Sequence, residues 1–390
     1  MPVTAAETYT PIARYAGRLH AVAGGEHHVA SPLGAWLLLA LCGAAAPSGG
    51  ESIDDALGLD RADALAFAAE LLGTPHDAVL SAAAVWTRAR ADALLRWLPA
   101  AVETGDLPGQ DRLDAWAREH TLGLIESFPL QVPPTAVVVL ATALATKVSW
   151  GTPFDLVPGS ALGGPFAGRV DTALRTPDGH GHRQFVASTP GAGDIIVHTA
   201  RAREGLSVTS VAAAPDVPAA EVLAAAYEVA GGEVAGRSLF DLPLGEGPLW
   251  TVSERHGPVT AASGREERCS AVLPAWAARS ELDLGHPDLG FPAGARAIAE
   301  LLGLSDYDYE ARQSAVARYS RVGFEAAAVS AMFTTTGFVM PREGVVRTAE
   351  LRFAHPYAVV AVASGGGPWN GVPVFSAWVA DPSSASGSDG

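Results

Sequence analysis

The hydrophobic pattern changes its period partway along the chain, and this limits the fold more than any single motif does. Up to Phe128 the apolar residues recur at three- and four-residue spacing. "SPLGAWLLLALCGAAA" places Ser31 as a helix N-cap and Pro32 at the first helical position. "SIDDALGLD" and "RADALAFAAELLG" follow as helices, and "DRLDAWAREHTLGLIESF" is another, broken near Gly123. Only "VLSAAAVWTRA" among these segments is strand-like. The long run "TAVVVLATALATKVSW" is rich in β-branched residues and ends at Trp150 and the turn "GTPFD". It suits a strand buried on both faces, in the interior of the largest sheet. Beyond it come short apolar or alternating runs such as "DIIVHTA", "LSVTSVAAAP", "GPLWTVSE" and "PVFSAWVA", cut by Gly, Pro and Asp. Helical patterns interrupt them near "PAAEVLAAAYEVA" and "AGARAIAELLG". Helices first and strands later predict an α+β fold built on a large sheet. No linker is long enough to divide domains, so residues 1–382 read as a single domain and "SSASGSDG", 383–390, as a flexible tail.

Several function classes drop out. The net charge is −16 and Lys147 is the only lysine, so nucleic acid and anionic membrane are poor partners. No Walker A loop, GxSxG, HExxH, GxGxxG or CxxC occurs, which argues against an enzyme and against a cofactor or metal. Cys42 and Cys269 read as reduced packing residues. The histidine pairs His27–His28 and His180–His182 read as solvated loop residues. "MPVTAAETYTPIARYAG" has no secretory pattern, which makes the cytoplasm the default location with export by another route open. The longest apolar run, "AWLLLALCGAAA", is too short to span a bilayer. The arginine- and alanine-rich composition with one lysine fits high-GC coding and a bacterial source.

One segment resists a single assignment. "RVGFEAAAVSAMFTTTGFVMPREGVV", residues 321–346, opens with alanines that suit a helix, continues with residues that suit a strand, and closes as an exposed loop. Together with the runs around it, this segment resembles the serpin family, and the likeness extends nearly end to end. "ASPLGAWLLLALCGAAAPSGGESIDDALGLD", "LDAWAREHTLGLI", "LATALATKVSWGTPFD", "SAVLPAWAARSELDL", "GFEAAAVSAMF", "RFAHPYAVVAVA" and "VFSAWVADP" resemble family motifs in the family's order. The resemblance implies a serpin-like domain with N-terminal helices, a large central mixed sheet, further sheets and an exposed reactive loop. It implies a monomer that engages a serine protease, the loop serving as bait that inserts into the main sheet after cleavage. The alternative is a non-inhibitory serpin-fold binding protein whose loop is cleaved as a substrate.

By the same resemblance, Gly323, Phe324, Glu325, Ala326, Ala327 and Ala328 form the hinge of the loop. Ser31, Gly34, Thr142, Lys147, Trp150 and Gln313 form the region where the sheet opens, with Trp150 near the top of the gap. Inhibitory members carry a small Thr or Ser where this chain has Phe324; forcing a ring into that slot is expected to cost about 1–3 kcal/mol and to slow insertion. Arg321 and Ala275 stand where the family commonly pairs an acid with a lysine. Gly34, Thr142 and Gln313 alter the polar cluster that usually closes the sheet centre. Counting from the hinge puts the scissile bond near Gly337 and counting back from Pro356 puts it near Val345. Between these limits Arg342, followed by Glu343, suits a trypsin-like protease, whereas Phe338 or Met340 suits a chymotrypsin-like one.

Overall fold

The computed structural model describes residues 5–46, 51–88, 92–177, 181–259, 261, 263–324 and 342–382. The tail 383–390 lies outside them. In chain order the elements are α1 (Ala5–Ala23), β1 (His28–Ala30), α2 (Pro32–Gly43), α3 (Glu51–Leu57), α4 (Arg61–Gly73), β2 (Leu80–Thr87), α5 (Asp92–Leu95), β3 (Glu103–Asp106), α6 (Gln110–His120) and β4 (Val138–Ala145). Next come β5 (Val148–Ser149), β6 (Asp155–Pro158), β7 (Thr172–Arg175), β8 (His182–Thr189), β9 (Gly193–Arg201), β10 (Leu206–Ala212), α7 (Ala219–Ala230), β11 (Gly245–Glu246), β12 (Trp250–Val259) and β13 (Arg265–Leu273). The chain closes with β14 (Trp276–Asp283), α8 (Phe291–Leu301), β15 (Arg312–Tyr319), β16 (Gly323–Phe324), β17 (Arg342–Arg352), β18 (Tyr357–Ala363) and β19 (Pro373–Val379). The mixture of helices and several sheets is the expected α+β fold. It divides into two compact units: Met1–Thr146 with Ala278–Ala317 and Ala361–Ala377, and Lys147–Ala277 with Arg318–Val360 and Trp378–Gly390.

In the first unit α2 is apolar all round and therefore wholly enclosed; only Leu38 is not fully buried. Ser31 caps it, its hydroxyl accepting from the Gly34 amide at 3.2 Å, with Pro32 in the first turn. α6 ends where Leu122 and Gly123 both take positive φ, 56° and 79°. Its Leu113, Trp116 and Ala117 pack on Ala141 and Ala143 of β4, and the Trp116 ring meets Trp86 edge-on at 5.3 Å.

β4 differs from its expected place. It is the terminal strand of a three-stranded sheet ordered β3-β2-β4, paired antiparallel with β2 from Leu80↔Ala145 to Thr87↔Val138. Val139, Ala141 and Ala143 are buried towards α6, while Val138, Leu140 and Thr142 are only half-buried. An unbroken apolar run reads as covered on both faces, but here the second face and the outer edge border a cleft.

The second unit carries a six-stranded mixed sheet, ordered β11-β12-β17-β13-β7-β6. β17 runs through it, antiparallel to β12 from Trp250↔Leu351 to Val259↔Arg342 and parallel to β13 from Arg265↔Val345 to Val272↔Arg352. Arg347 fixes this ribbon from one side. Its guanidinium donates to the carbonyls of Leu239 and Leu242 at 2.8 and 3.1 Å and pairs with Glu254 at 2.8 Å. β8, β9 and β10 form an antiparallel layer.

The histidines also depart from expectation. His28 is buried in β1 with its Nε2 2.6 Å from His20 Nδ1, and His20 Nε2 lies 2.6 Å from the Ser376 hydroxyl. His182 lies in β8, 3.0 Å from the fully buried His198. Loop-like sequence around His28 and His182 hides these contacts; His27 is half-buried in the bend before β1, and His180 lies outside the described residues. Among the described residues no cluster of three metal-ligating side chains occurs, and no helix is long and apolar enough to cross a membrane. Cys42 and Cys269 are free thiols, both pushed up to about 12 by burial.

Candidate functional site: the hinge and the sheet cleft

Gly323 and Phe324 are strand, not loop. In the second unit they form β16, which pairs with β5 through Gly323↔Ser149 and Phe324↔Val148 and with β15 through Tyr319↔Phe324. Both residues are buried. The chain reaches them through a turn at residues 320–322, held at each carbonyl. Trp150 Nε1 donates to Ser320 O at 2.9 Å, the Phe154 amide to Arg321 O at 3.0 Å, and the Trp150 amide to Val322 O at 3.0 Å. The "WGTPFD" turn is therefore a clasp on the hinge. Lys147, just before it, is exposed.

Phe324 has a pocket of its own. Its side chain is 2% exposed and lies edge-on to Trp276, centroids 6.3 Å apart. Trp276 in turn stacks on Tyr319 at 6.1 Å, and Tyr319 contacts Trp150 at 5.1 Å and Phe154 at 5.8 Å. In this seat the ring packs on Trp276, which joins an aromatic group with Tyr319, Trp150 and Phe154. Nothing local in the sequence announces that pocket: Trp150, Trp276, Tyr319 and Phe324 meet only in three dimensions.

In the first unit, Val138–Thr146 on one side and Glu310–Val316 on the other line a cleft of about 740 Å³, floored by residues of α2 and α8. The polar residues expected to close the sheet centre do not join these two walls. Thr142 of β4 donates to Gly34 O at 2.8 Å. Gln313 of β15 makes a two-point contact with Ser31, accepting from its amide at 2.9 Å and donating to its carbonyl at 2.8 Å. Each wall is tied to the N-terminal turn of α2 rather than to the other wall. A Cβ on Gly34 would lie 3.1 Å from both Leu144 Cδ1 and the Ser31 hydroxyl, so glycine gives the close approach of α2 to β4.

The candidate scissile residues separate into two groups. Arg342, Glu343 and Val345 belong to β17, opposite Val259, Pro258 and His256 on β12, and Val345 also faces Arg265 on β13. Much of the stretch between Gly323 and Pro356 is therefore strand, from Arg342 to Arg352. Glu325, Ala326, Ala327, Ala328, Gly337, Phe338 and Met340 lie outside the described residues.

No family model matches the sequence, and no curated protein is similar to it in sequence. Solved structures are similar across nearly the whole chain. Human thyroxine-binding globulin with thyroxine bound superposes with a TM-score of 0.61 at 13% identity, over 97% of this chain and 99% of that one. Native tengpin, a thermophilic serpin, gives 0.60 at 12% identity, over 97% and 93%. The Arabidopsis serpin AtSerpin1, in its native stressed conformation, gives 0.60 at 14%, over 96% and 98%. The chain has the serpin fold, in a sequence-divergent form.

Proposed function

We propose that this protein is a serine protease inhibitor whose loop after Phe324 is cut and then enters the cleft as a strand. The carrying observation is that β16 already lies in the sheet and sets a register. Phe324 sits opposite Val148 and Tyr319. Continuing that register without a bulge places Ala326 opposite Thr146 and Ala317, Ala328 opposite Leu144 and Ala315, and Ser330 opposite Thr142 and Gln313. The partners at the first two levels are buried, and the incoming residues are alanines. At the third level a serine meets the two polar residues whose side chains face α2. Thr334 would fall opposite Val138, the last residue of β4. Roughly ten new ladder hydrogen bonds at ~1 kcal/mol net each give a drive on the order of 10 kcal/mol, before side-chain burial is counted.

The same register bears on the cut. A strand filling the wall of β4 needs the chain as far as Thr334, so the bond must lie beyond it. A protease binds residues on both sides of the bond as an extended segment with a free backbone edge; from Arg342 one edge of β17 is held by β12, and from Val345 to Leu351 both edges are held. The cut therefore falls before Arg342, and Gly337, Phe338 and Met340 are the candidates. Phe338 and Met340 favour a chymotrypsin-like partner over a trypsin-like one. A second reading draws on the fold's likeness to thyroxine-binding globulin, a binding protein; in that reading the loop of this chain is cut without trapping.

The experiment mixes the protein with chymotrypsin-like and trypsin-like serine proteases and resolves the products on a denaturing gel. An adduct stable in SDS, with a released fragment beginning between residues 338 and 342, is expected. Clean cleavage with no adduct from any protease, or cleavage only after Arg342, overturns the inhibitor reading or the placement of the cut, respectively.

A further inference from the structure

Behind the hinge clasp lies a pair of stacked histidines that the proposed reaction does not use. His182 Nε2 donates to Thr152 O at 2.8 Å. A neutral His182 therefore offers only a lone pair at Nδ1, which lies 3.0 Å from His198 Nε2, so His198 is the donor there. That leaves His198 Nδ1 as an acceptor with no hydrogen-bond partner, on a ring that is 0% exposed. The rings stack at 26° with centroids 5.3 Å apart, and Phe154 covers both, at 4.5 and 5.4 Å. Phe154 and Thr152 belong to the clasp itself, whose amides hold Arg321 O and Val322 O.

The arrangement admits no extra proton in place. If His182 takes one at Nδ1, that N–H points at the N–H of His198. If His198 then shifts its own proton to Nδ1, the proton enters a buried position with no acceptor. Either way a positive charge sits among apolar walls. Among the described residues, the groups facing the pair supply no compensating anion. Gln184 lies opposite His198 on β8 and Ser210 opposite it on β10; the clasp offers Thr152 O and the Phe154 ring, and Phe154 is backed by Tyr319 of β15. Of the charged residues on these strands, Arg183 rests on the Phe185 ring and Asp194 pairs with Arg237. Asp155 and Arg201 are exposed, and Arg318 of β15 is half-buried. Burial holds both histidines below their ordinary range, with the neighbouring imidazole adding to it at His198. His182, on the outermost strand of its layer and half-buried, is the ring with a way out to water.

We propose that His182 and His198 form a proton-operated latch: acid drives His182 out from under Phe154, and the clasp on residues 320–322 loosens, freeing β16. Thr152 O loses its donor, and Phe154 loses the ring packed most closely against it. The latch would regulate entry of the loop and takes its functional meaning from the inhibitor reading, but it operates in the uncut protein with no protease present.

Hydrogen exchange on the intact protein tests it apart from inhibition. With intrinsic pH effects removed, protection of peptides covering 148–154 and 318–324 should fall about tenfold or more between about pH 7.5 and about pH 5.5, while β12 and β17 stay protected. His182→Gln, which keeps a donor for Thr152 O, should abolish the fall. Histidine NMR on the wild type gives a second reading that does not depend on a folded variant: the His182 signal should titrate below its ordinary range, with its midpoint at lower pH than the onset of the fall in protection. Protection independent of pH, an undiminished fall in a folded His182→Gln protein, or a His182 signal that titrates at or above its ordinary value overturns the latch. None of these outcomes touches the adduct experiment, and absence of an adduct leaves the latch standing.

Discussion

Replacing Phe324 by threonine is the sharpest test of the hinge geometry. The ring is 2% exposed and edge-on to Trp276. Burying a phenylalanine side chain contributes about 1.5–3 kcal/mol and an edge-on aromatic pair about 0.5–1.5 kcal/mol more, of which threonine keeps about one methyl's worth. The net loss is about 2 kcal/mol, or about thirtyfold in the equilibrium between seated and released β16. A seated β16 is the first rung of the incoming strand. Releasing it should delay insertion, so that the acyl-enzyme has more time to hydrolyse. Two readouts follow. Exchange at residues 320–324 should rise by about thirtyfold at neutral pH, and the adduct fraction on a denaturing gel should fall in favour of cleaved protein. Cleavage at an unchanged bond would confirm that only the race was altered. A larger adduct fraction in Phe324→Thr than in the wild type would mean that the ring obstructs entry, as the family comparison alone suggests, and would refute the argument from the pocket.

Trp150→Ala removes a side chain that is 1% exposed, contacts Tyr319 and Phe154, and donates to Ser320 O; a loss of about 3–5 kcal/mol is expected in thermal or urea melts, and an unchanged midpoint would contradict its role in the clasp. Gln313→Ala leaves the buried Ser31 amide without its acceptor and should cost about 1–3 kcal/mol in urea unfolding, more than Gln313→Glu, which keeps that acceptor. Acid should destabilise the protein through His20, which burial, aided by His28, holds down at about 3. The folded state keeps this ring neutral while the unfolded chain protonates it below about 6.5, so stability is fully present above that pH and is lost as pH falls through it, by about 1.4 kcal/mol per unit for one such group. Melts across this range should show a shallower fall in His20→Gln, and parallel profiles would show that other groups carry the acid transition.

What the sequence disclosed was local or periodic. Ser31 and Pro32 marked the start of α2 because a cap and a first-turn proline are chemical signals within a few residues. The end of α6 was legible because Gly123 permits positive φ. β4 was recognised as a strand but misplaced, since burial of its second face depends on what lies beside it rather than on its own residues. The ladder around Arg342, Glu343 and Val345 was hidden because proline, charge and glycine read locally as an exposed loop, whereas its pairing comes from β12 and β13. The contact of Gln313 with Ser31 spans 282 positions. The seat of Phe324 on Trp276 and the contact of His20 with Ser376 likewise join residues far apart in the chain, which one sequence does not couple.

A strand gripped along both edges also decides what a nick does to the molecule. Ten of the eleven residues of β17 have a neighbour on β12, eight have one on β13, and the seven from Val345 to Leu351 have both. A tug on its free upstream end would load those hydrogen bonds together rather than unzip them one after another. The peptide downstream of a cut contains this strand and also β18 and β19, in which every side chain is buried. Severing the backbone upstream of Arg342 therefore yields two polypeptides that travel as one particle. They should co-elute at the mass of the intact chain in native buffer and part company only in denaturant.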